Sequence, residues 1–222
     1  MEIGVMTAAA TPESTRMLVI ANLVTLALAL GLNWPMDVLL WPYWIQSAVI
    51  GYFAHKRLVL LEESAATQPA QDSADAVPRE ADAGRSISAA TFFAILYGGW
   101  FLLFFALLLQ NHTAKLDGWD VLGIAAAGVA FAGNHWFSFR QNSAADAAGT
   151  PSLLTGFFAP FLRALPMFIG GYAAQELALG MGAVALIAFC LAKTAIDVAL
   201  HRGEHGLLQK NRRRLPAGAA DL

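Results

Sequence analysis

The spacing of charges constrains this chain more than any other feature. Twenty uncharged residues separate Arg16 from Asp37, and 18 separate Asp37 from Lys56. Twenty-nine lie between Arg85 and Lys115, and 19 between Asp120 and Arg140. A helix crosses the hydrocarbon core of a bilayer in about 20 apolar residues. These four intervals therefore predict helices near 17–34, 38–56, 89–111 and 120–139. Two further apolar stretches are interrupted. One, 152–175, carries Arg163 between Pro160 and Pro166; the other, 177–200, carries Lys193 and Asp197.

Composition decides between a buried core and a membrane. Of the 222 residues, 57% are hydrophobic and only 14% charged, against about 25% charged in a typical soluble domain. So few charges cannot cover the surface of a soluble domain this size. The single cysteine, Cys190, has no partner for a disulfide or a C-x-x-C motif, and reads as a small buried hydrophobe. The expected fold class is all-α: a polytopic six-helix membrane bundle. It would form one membrane domain over 1–206 with a basic tail over 207–222.

Orientation follows from Lys and Arg. With a cytoplasmic N-terminus, 12 of the 14 basic residues fall on the cytoplasmic side, and Lys115 alone falls opposite. Lys193 stays within the membrane. Both termini are thus expected in the cytoplasm of a bacterium, with the chain in the inner membrane. A cleaved signal peptide ending near Ala27-Leu28-Ala29 is the competing view of the first span. Glu2, Glu13 and Arg16 deny it the positive leader such a peptide needs. Residues 65–88 hold Pro69, Pro78 and many Ala, Asp and Ser with no aromatic. That composition predicts a flexible cytoplasmic loop. Lys210 and Arg212 to Arg214 would lie against anionic headgroups. The net charge of −2 gives no reason to expect nucleic acid.

The sixth helix carries two opposed stripes. At 100° per residue, Ala188, Ala192, Ala195 and Ala199 share one face, while Lys193, Asp197 and His201 share the other. Small residues allow close helix approach in lipid, and a charge near mid-bilayer costs about 2.5–3.5 kcal/mol unless shielded. Both faces therefore call for neighbours, which predicts a central place for this helix. The fourth helix presents Gly123, Ala127, Ala130, Asn134 and Ser138 on one face, with His135 on its shoulder. The fifth brings in Arg163. If helices four, five and six are neighbours, His135, Arg163, Lys193, Asp197 and His201 form a cluster in the cytoplasmic half. Gln46, deep in the second helix beyond the belt residues Trp41 and Trp44, also needs an internal hydrogen bond.

Three uses of this cluster compete. It can be structural glue, with Arg163 or Lys193 neutralising Asp197. It can be a hydrated pocket in which His135 and Asp197 handle protons or ions. Or His135, Asp197 and His201 can bind a metal, although two nearby cations oppose that; no other cofactor is expected. Hydrolase elbows, H-E-x-x-H, nucleotide-binding glycine loops, voltage-sensor arginines and channel filters are absent from the sequence. Tyr97-Gly98-Gly99-Trp100 and Gly170-Gly171 read as close-packing or bending points.

Tyr43-Trp44-x-Gln46, Asn134-His135-x-Phe137-Ser138-Phe139, Arg163-x-x-Pro166-Met167 and Lys193-Thr194-x-x-Asp197-x-x-x-His201 occur in that order. Together, over roughly 36–205, they resemble an uncharacterised family of bacterial integral membrane proteins, a domain of unknown function. The resemblance implies a helical bundle with a shared polar centre and no established activity. The family pattern carries Glu at the position of Gln46, and His near Phe104 and at Phe168. The expected function is non-enzymatic: a membrane component that binds a partner, lipid or ion through the cluster. Metal-assisted intramembrane hydrolysis and small proton- or ion-coupled transport are the alternatives. Expected partners are the bilayer and either a second copy or another membrane protein.

Overall fold

A computed structural model describes residues 12–67, 87–111, 115–148, 153–177 and 182–212, all helical but for short connections. Six helices follow one another: α1 (Pro12–Gly31), α2 (Met36–Thr67), α3 (Ala89–Asn111), α4 (Gly118–Ala148), α5 (Leu153–Leu177) and α6 (Gly182–Arg212). Each overlaps one of the six expected segments. Helices α1, α3, α4 and α6 contain stretches long and apolar enough to cross a membrane: Glu13–Gly31, Ala89–Gln110, Gly118–Arg140 and Gly182–Gly203. In α2 the apolar run is diluted by the inward-facing Gln46 and Ser47 and by its basic end. Gly156–Gly170 of α5 is a shorter apolar stretch. α2 continues to Thr67 and α6 to Arg212, so 65–67 and 207–212 prolong helices where the sequence predicts loop and tail. Most of loop 65–88 and the tail from 213 onward lie outside the described residues.

Local chemistry sets the turns. α1 ends in a paired cap: Trp34 N donates to Ala29 O at 2.8 Å and Asn33 N to Leu30 O at 3.3 Å. The residue between helix and exit must then be left-handed. Asn33 takes that place at φ 52°, and Asn tolerates it better than most. At the start of α4, Asp117 Oδ1 accepts from Trp119 N and Asp120 N, while Asp120 Oδ2 accepts from Asp117 N. This reciprocal cap satisfies donors that the first turn leaves open. Asp120 Oδ1 also accepts from Trp34 Nε1 at 2.8 Å, tying the α1–α2 corner to α4. At the other end Glu62 of α2 accepts from Ala90 N, and Ser88 caps Thr91 N.

The helices alternate in direction. Ser14 at the start of α1 meets His201 near the end of α6. The end of α1, the start of α2 and the start of α6 line one common cavity at the far end, through Ala29, Trp34, Met36 and Gly182. Packing contacts run α1–α4, α4–α2, α2–α5, α5–α6 and α6–α1, which closes a ring of five helices. α3 lies outside, against α2 with a narrow touch on α5. The most extensively packed helix is thus α2, not α6 as the two stripes predicted. Ala188, Ala192, Ala195 and Ala199 all face outward, whereas Lys193, Asp197 and His201 are buried. A perimeter helix has one enclosed side. The polar stripe takes it, and the alanine stripe is left outside.

Glycine matters where backbones close up. A side chain at Gly51 would strike the Tyr97 ring, and one at Gly170 would strike Phe189. Nothing lies within reach of Gly98 or Gly99, so that pair is not a close-packing point. The Tyr97 hydroxyl, laid across Gly51, donates to Ser47 O at 2.8 Å.

Candidate functional site

The ring encloses two different halves. Toward the end where α1 begins and α6 finishes, its interior is polar; toward the other end Trp34, Leu39, Tyr43, Phe131 and Leu186 fill it. Lys193 and Asp197 sit on α6 one turn apart, each only 2% exposed, with Nζ 2.5 Å from both carboxylate oxygens. Gln46 Nε2 crosses from α2 to donate to Asp197 Oδ2 at 3.2 Å. The pair is therefore local, as i, i+4 spacing allows, but Asp197 also has a partner on another helix. Lys193 Nζ lies 5.6 Å from the centre of the Tyr43 ring, and an ammonium over a ring face gains electrostatically. Tyr43 in turn donates to Cys190 Sγ at 3.3 Å, so Cys190 is a buried packing residue with a polar neighbour.

One turn toward the chain termini lies a second group. His201 Nδ1 is 3.4 Å from Arg163 Nη2, and Nε2 is 3.0 Å from Ser14 Oγ. A guanidinium only donates, so Nδ1 must accept and the ring proton of a neutral His201 sits on Nε2, facing Ser14. Arg163 is half-buried, which suits a side chain reaching from within α5 toward the polar end.

Asn134 and Asn22 complete the polar interior. From the Ser14–His201 contact, eight residues inward on α1 and eight on α6 bring Asn22 level with Lys193. Ser47 Oγ reaches Met167 Sδ at 3.9 Å, placing α5 at the same height. The ring helices thus line one polar stretch of the interior: Asn22, Gln46 with Ser47, Met167 and Lys193 lie near one height, and the contact of Phe53 with Trp136 sets Asn134 more than a turn nearer the chain termini, opposite Gly51. Asn22 spends its Nδ2 on Leu18 O at 3.0 Å. The side-chain oxygens of Asn22 and Asn134 are fully buried with no hydrogen-bond donor among the described residues. Buried polar atoms are nearly always paired, and an unmade bond of this kind costs roughly 1–3 kcal/mol.

The sequence-predicted residues divide accordingly. Gln46, Lys193 and Asp197 come together, as do Arg163 and His201, and Asn134 is buried on α4 more than a turn from the level of Gln46. His135 is half-buried on α4, and α4 packs on α1 and α2 rather than beside α5 and α6. The assumed adjacency of helices four, five and six therefore holds only for five and six. Among the described residues no three of His, Cys, Asp and Glu meet as a group able to hold a metal. His135, Asp197 and His201 accordingly share no common point. Ser14 and Asn22 escaped the sequence reading: Ser14 precedes the apolar run, and one Asn in a span as apolar as α1 looks incidental. The signal was periodicity, since Ser14, Leu18, Ala21, Asn22, Thr25 and Ala29 all fall on the buried face.

A family model matches residues 6–214. The chain belongs to the family of unknown function DUF6498. This agrees with the resemblance to an uncharacterised family, and within DUF6498 the match covers all six helices and the polar interior. No curated protein and no solved structure matches the chain. Phe168, where the resemblance implied a histidine, and Phe104, near which it implied another, have rings 4.4 Å apart, centre to centre. In this DUF6498 chain that place is an aromatic contact between α3 and α5, not a pair of ligands.

Proposed function

We propose that this DUF6498 member is a six-span protein of a bacterial inner membrane, with both termini cytoplasmic, and that it binds a small ion or polar solute in the polar interior between α1, α2, α4 and α6. The role is non-enzymatic. One observation supports the reading: two buried amide oxygens, Asn22 and Asn134, have no donor among the described residues, within the polar half of the interior that also holds the Lys193–Asp197 pair. A network serving only as glue would close on itself, because each unmade bond lowers stability. Acceptors left open suit a bound species that supplies positive charge or hydrogen-bond donors. Entry is from the cytoplasmic end, where Ser14, Arg163 and His201 continue the polar interior; Phe131, Leu39 and Trp34 block the other half. Six spans are supported by the alternating helix directions and by the 12-to-1 distribution of basic residues.

The test is thermal unfolding of the purified protein in ammonium, sodium or potassium chloride, compared with choline chloride at equal ionic strength. Binding to the folded state raises the midpoint by mass action. At least one salt should raise it in the wild type and not in Asn22→Leu/Asn134→Leu. Equal midpoints in all four salts would remove small cations from the reading. Topology is tested separately by maleimide labelling in intact cells: Lys115→Cys should react from outside and Ser73→Cys should not.

A further inference from the structure

A second site lies on the outer surface of the bundle, at its polar end, and has no part in the polar interior. Lys56 Nζ stands 5.6 Å from the Tyr52 ring centre on α2, and the Arg140 guanidinium 5.9 Å from the Trp136 ring on α4. Both basic residues are exposed, and Tyr52 and Trp136 are 55% and 54% exposed. The two cation–ring pairs are joined through Phe53. Its ring is 5.2 Å from Tyr52, 6.3 Å from Trp136 and 5.3 Å from Phe139. The α2–α4 register set by Phe53 and Trp136 brings Lys56 within one residue of the level of Arg140. The apolar span of α4 ends at Arg140, the height at which the membrane reading puts the bilayer's phosphates.

We infer that this aromatic ledge with a cation at each end is a binding site for one anionic phospholipid of the cytoplasmic leaflet, its negatively charged headgroup set against Lys56 and Arg140. The inference rests on the membrane reading above but not on any ligand in the polar interior. Rings at the interface suit the boundary between acyl chain and headgroup. Two cations held over rings are already oriented, so a phosphate gains charge-assisted hydrogen bonds at little further cost in side-chain order. A zwitterionic headgroup carries its own cation and gains less. The commitment to anionic lipid follows from that charge complementarity.

Native mass spectrometry of the full-length protein, released from detergent with added dioleoyl phosphatidylglycerol or phosphatidylcholine, reads the site directly. The wild type should retain phosphatidylglycerol with a preference of roughly tenfold or more, the scale of two cations near an anionic surface. Lys56→Gln/Arg140→Gln should lose most of that preference, and Lys56→Arg should keep it. Replacing Lys210, Arg212, Arg213 and Arg214 by Gln should leave it in place. Retention of the preference by Lys56→Gln/Arg140→Gln overturns the site, as does displacement of the lipid by equimolar inorganic phosphate. Recovery of the protein from the soluble fraction without detergent would instead overturn the membrane reading.

Discussion

The two halves of the five-helix ring are enclosed by the same helices yet are built on opposite principles. In the half near Trp34, large side chains fill the interior: Phe131 packs on Tyr43 at 5.9 Å, Tyr43 on Phe189 at 5.7 Å, and Asp120 anchors Trp34. In the half near the chain termini, Lys193, Asp197, Gln46, Arg163, His201, Asn22 and Asn134 take up the same interior, and two amide oxygens have no donor among the described residues. The contrast shows that enclosure alone does not force a polar centre. The same ring is sealed with aromatic rings one turn away.

The comparison can be broken by mutation, and the largest effect falls on the ion pair. Asp197→Asn leaves a buried lysine without its counter-charge and should cost about 3–5 kcal/mol in unfolding experiments in detergent. Replacing both members, Lys193→Met with Asp197→Leu, should recover most of that loss. An Asp197→Asn protein as stable as wild type would mean that Lys193 is not enclosed. In the apolar half, Phe131→Ala should cost about 3 kcal/mol through the cavity it leaves, with no change in any salt-dependent stabilisation. Loss of the salt effect there would couple the two halves.

Smaller effects sharpen the picture. Gly51→Ala pushes a methyl into the Tyr97 ring and should destabilise by about 1–3 kcal/mol. Gly98→Ala faces open space and should be neutral or stabilising by up to about 1 kcal/mol, because alanine is the better helix former. Equal effects at the two positions would contradict the packing of α3 on α2. The most telling of the small changes is Asn134→Leu. Removing an acceptor that lacks a donor should raise stability by about 1 kcal/mol, against the usual direction for a buried substitution.

Most of the bundle was legible because long intervals without charge mark apolar helices. The gaps Arg16–Asp37, Asp37–Lys56, Arg85–Lys115 and Asp120–Arg140 marked four helices, and the stripe Lys193–Asp197–His201 marked the inward face of α6. Neighbour relations were not legible. In water an apolar stripe points to the core, but in lipid both faces of a helix can be apolar. The alanine stripe of α6 and the uniformly apolar α3 therefore carried no reliable direction. Gln46 announced its need for a partner, since one amide in a deep span is costly; that the partner is Asp197 depended on α2 lying alongside α6's enclosed face. Asn22 and Ser14 were missed because their significance comes from level, and level between helices is set by turns such as the Asn33 cap. Gly51 was likewise silent until the Tyr97 ring was seen to lie on it.

The account stands on the claim that the polar interior is built to receive something rather than to close on itself. An experimental density map of the purified protein, at a resolution that shows ordered water, tests it most directly. The account predicts non-protein density within about 2.7–3.2 Å of both Asn22 Oδ1 and Asn134 Oδ1, beside an intact Lys193–Asp197–Gln46 triad. Two amides turned onto protein donors, with no space left between them, would contradict it.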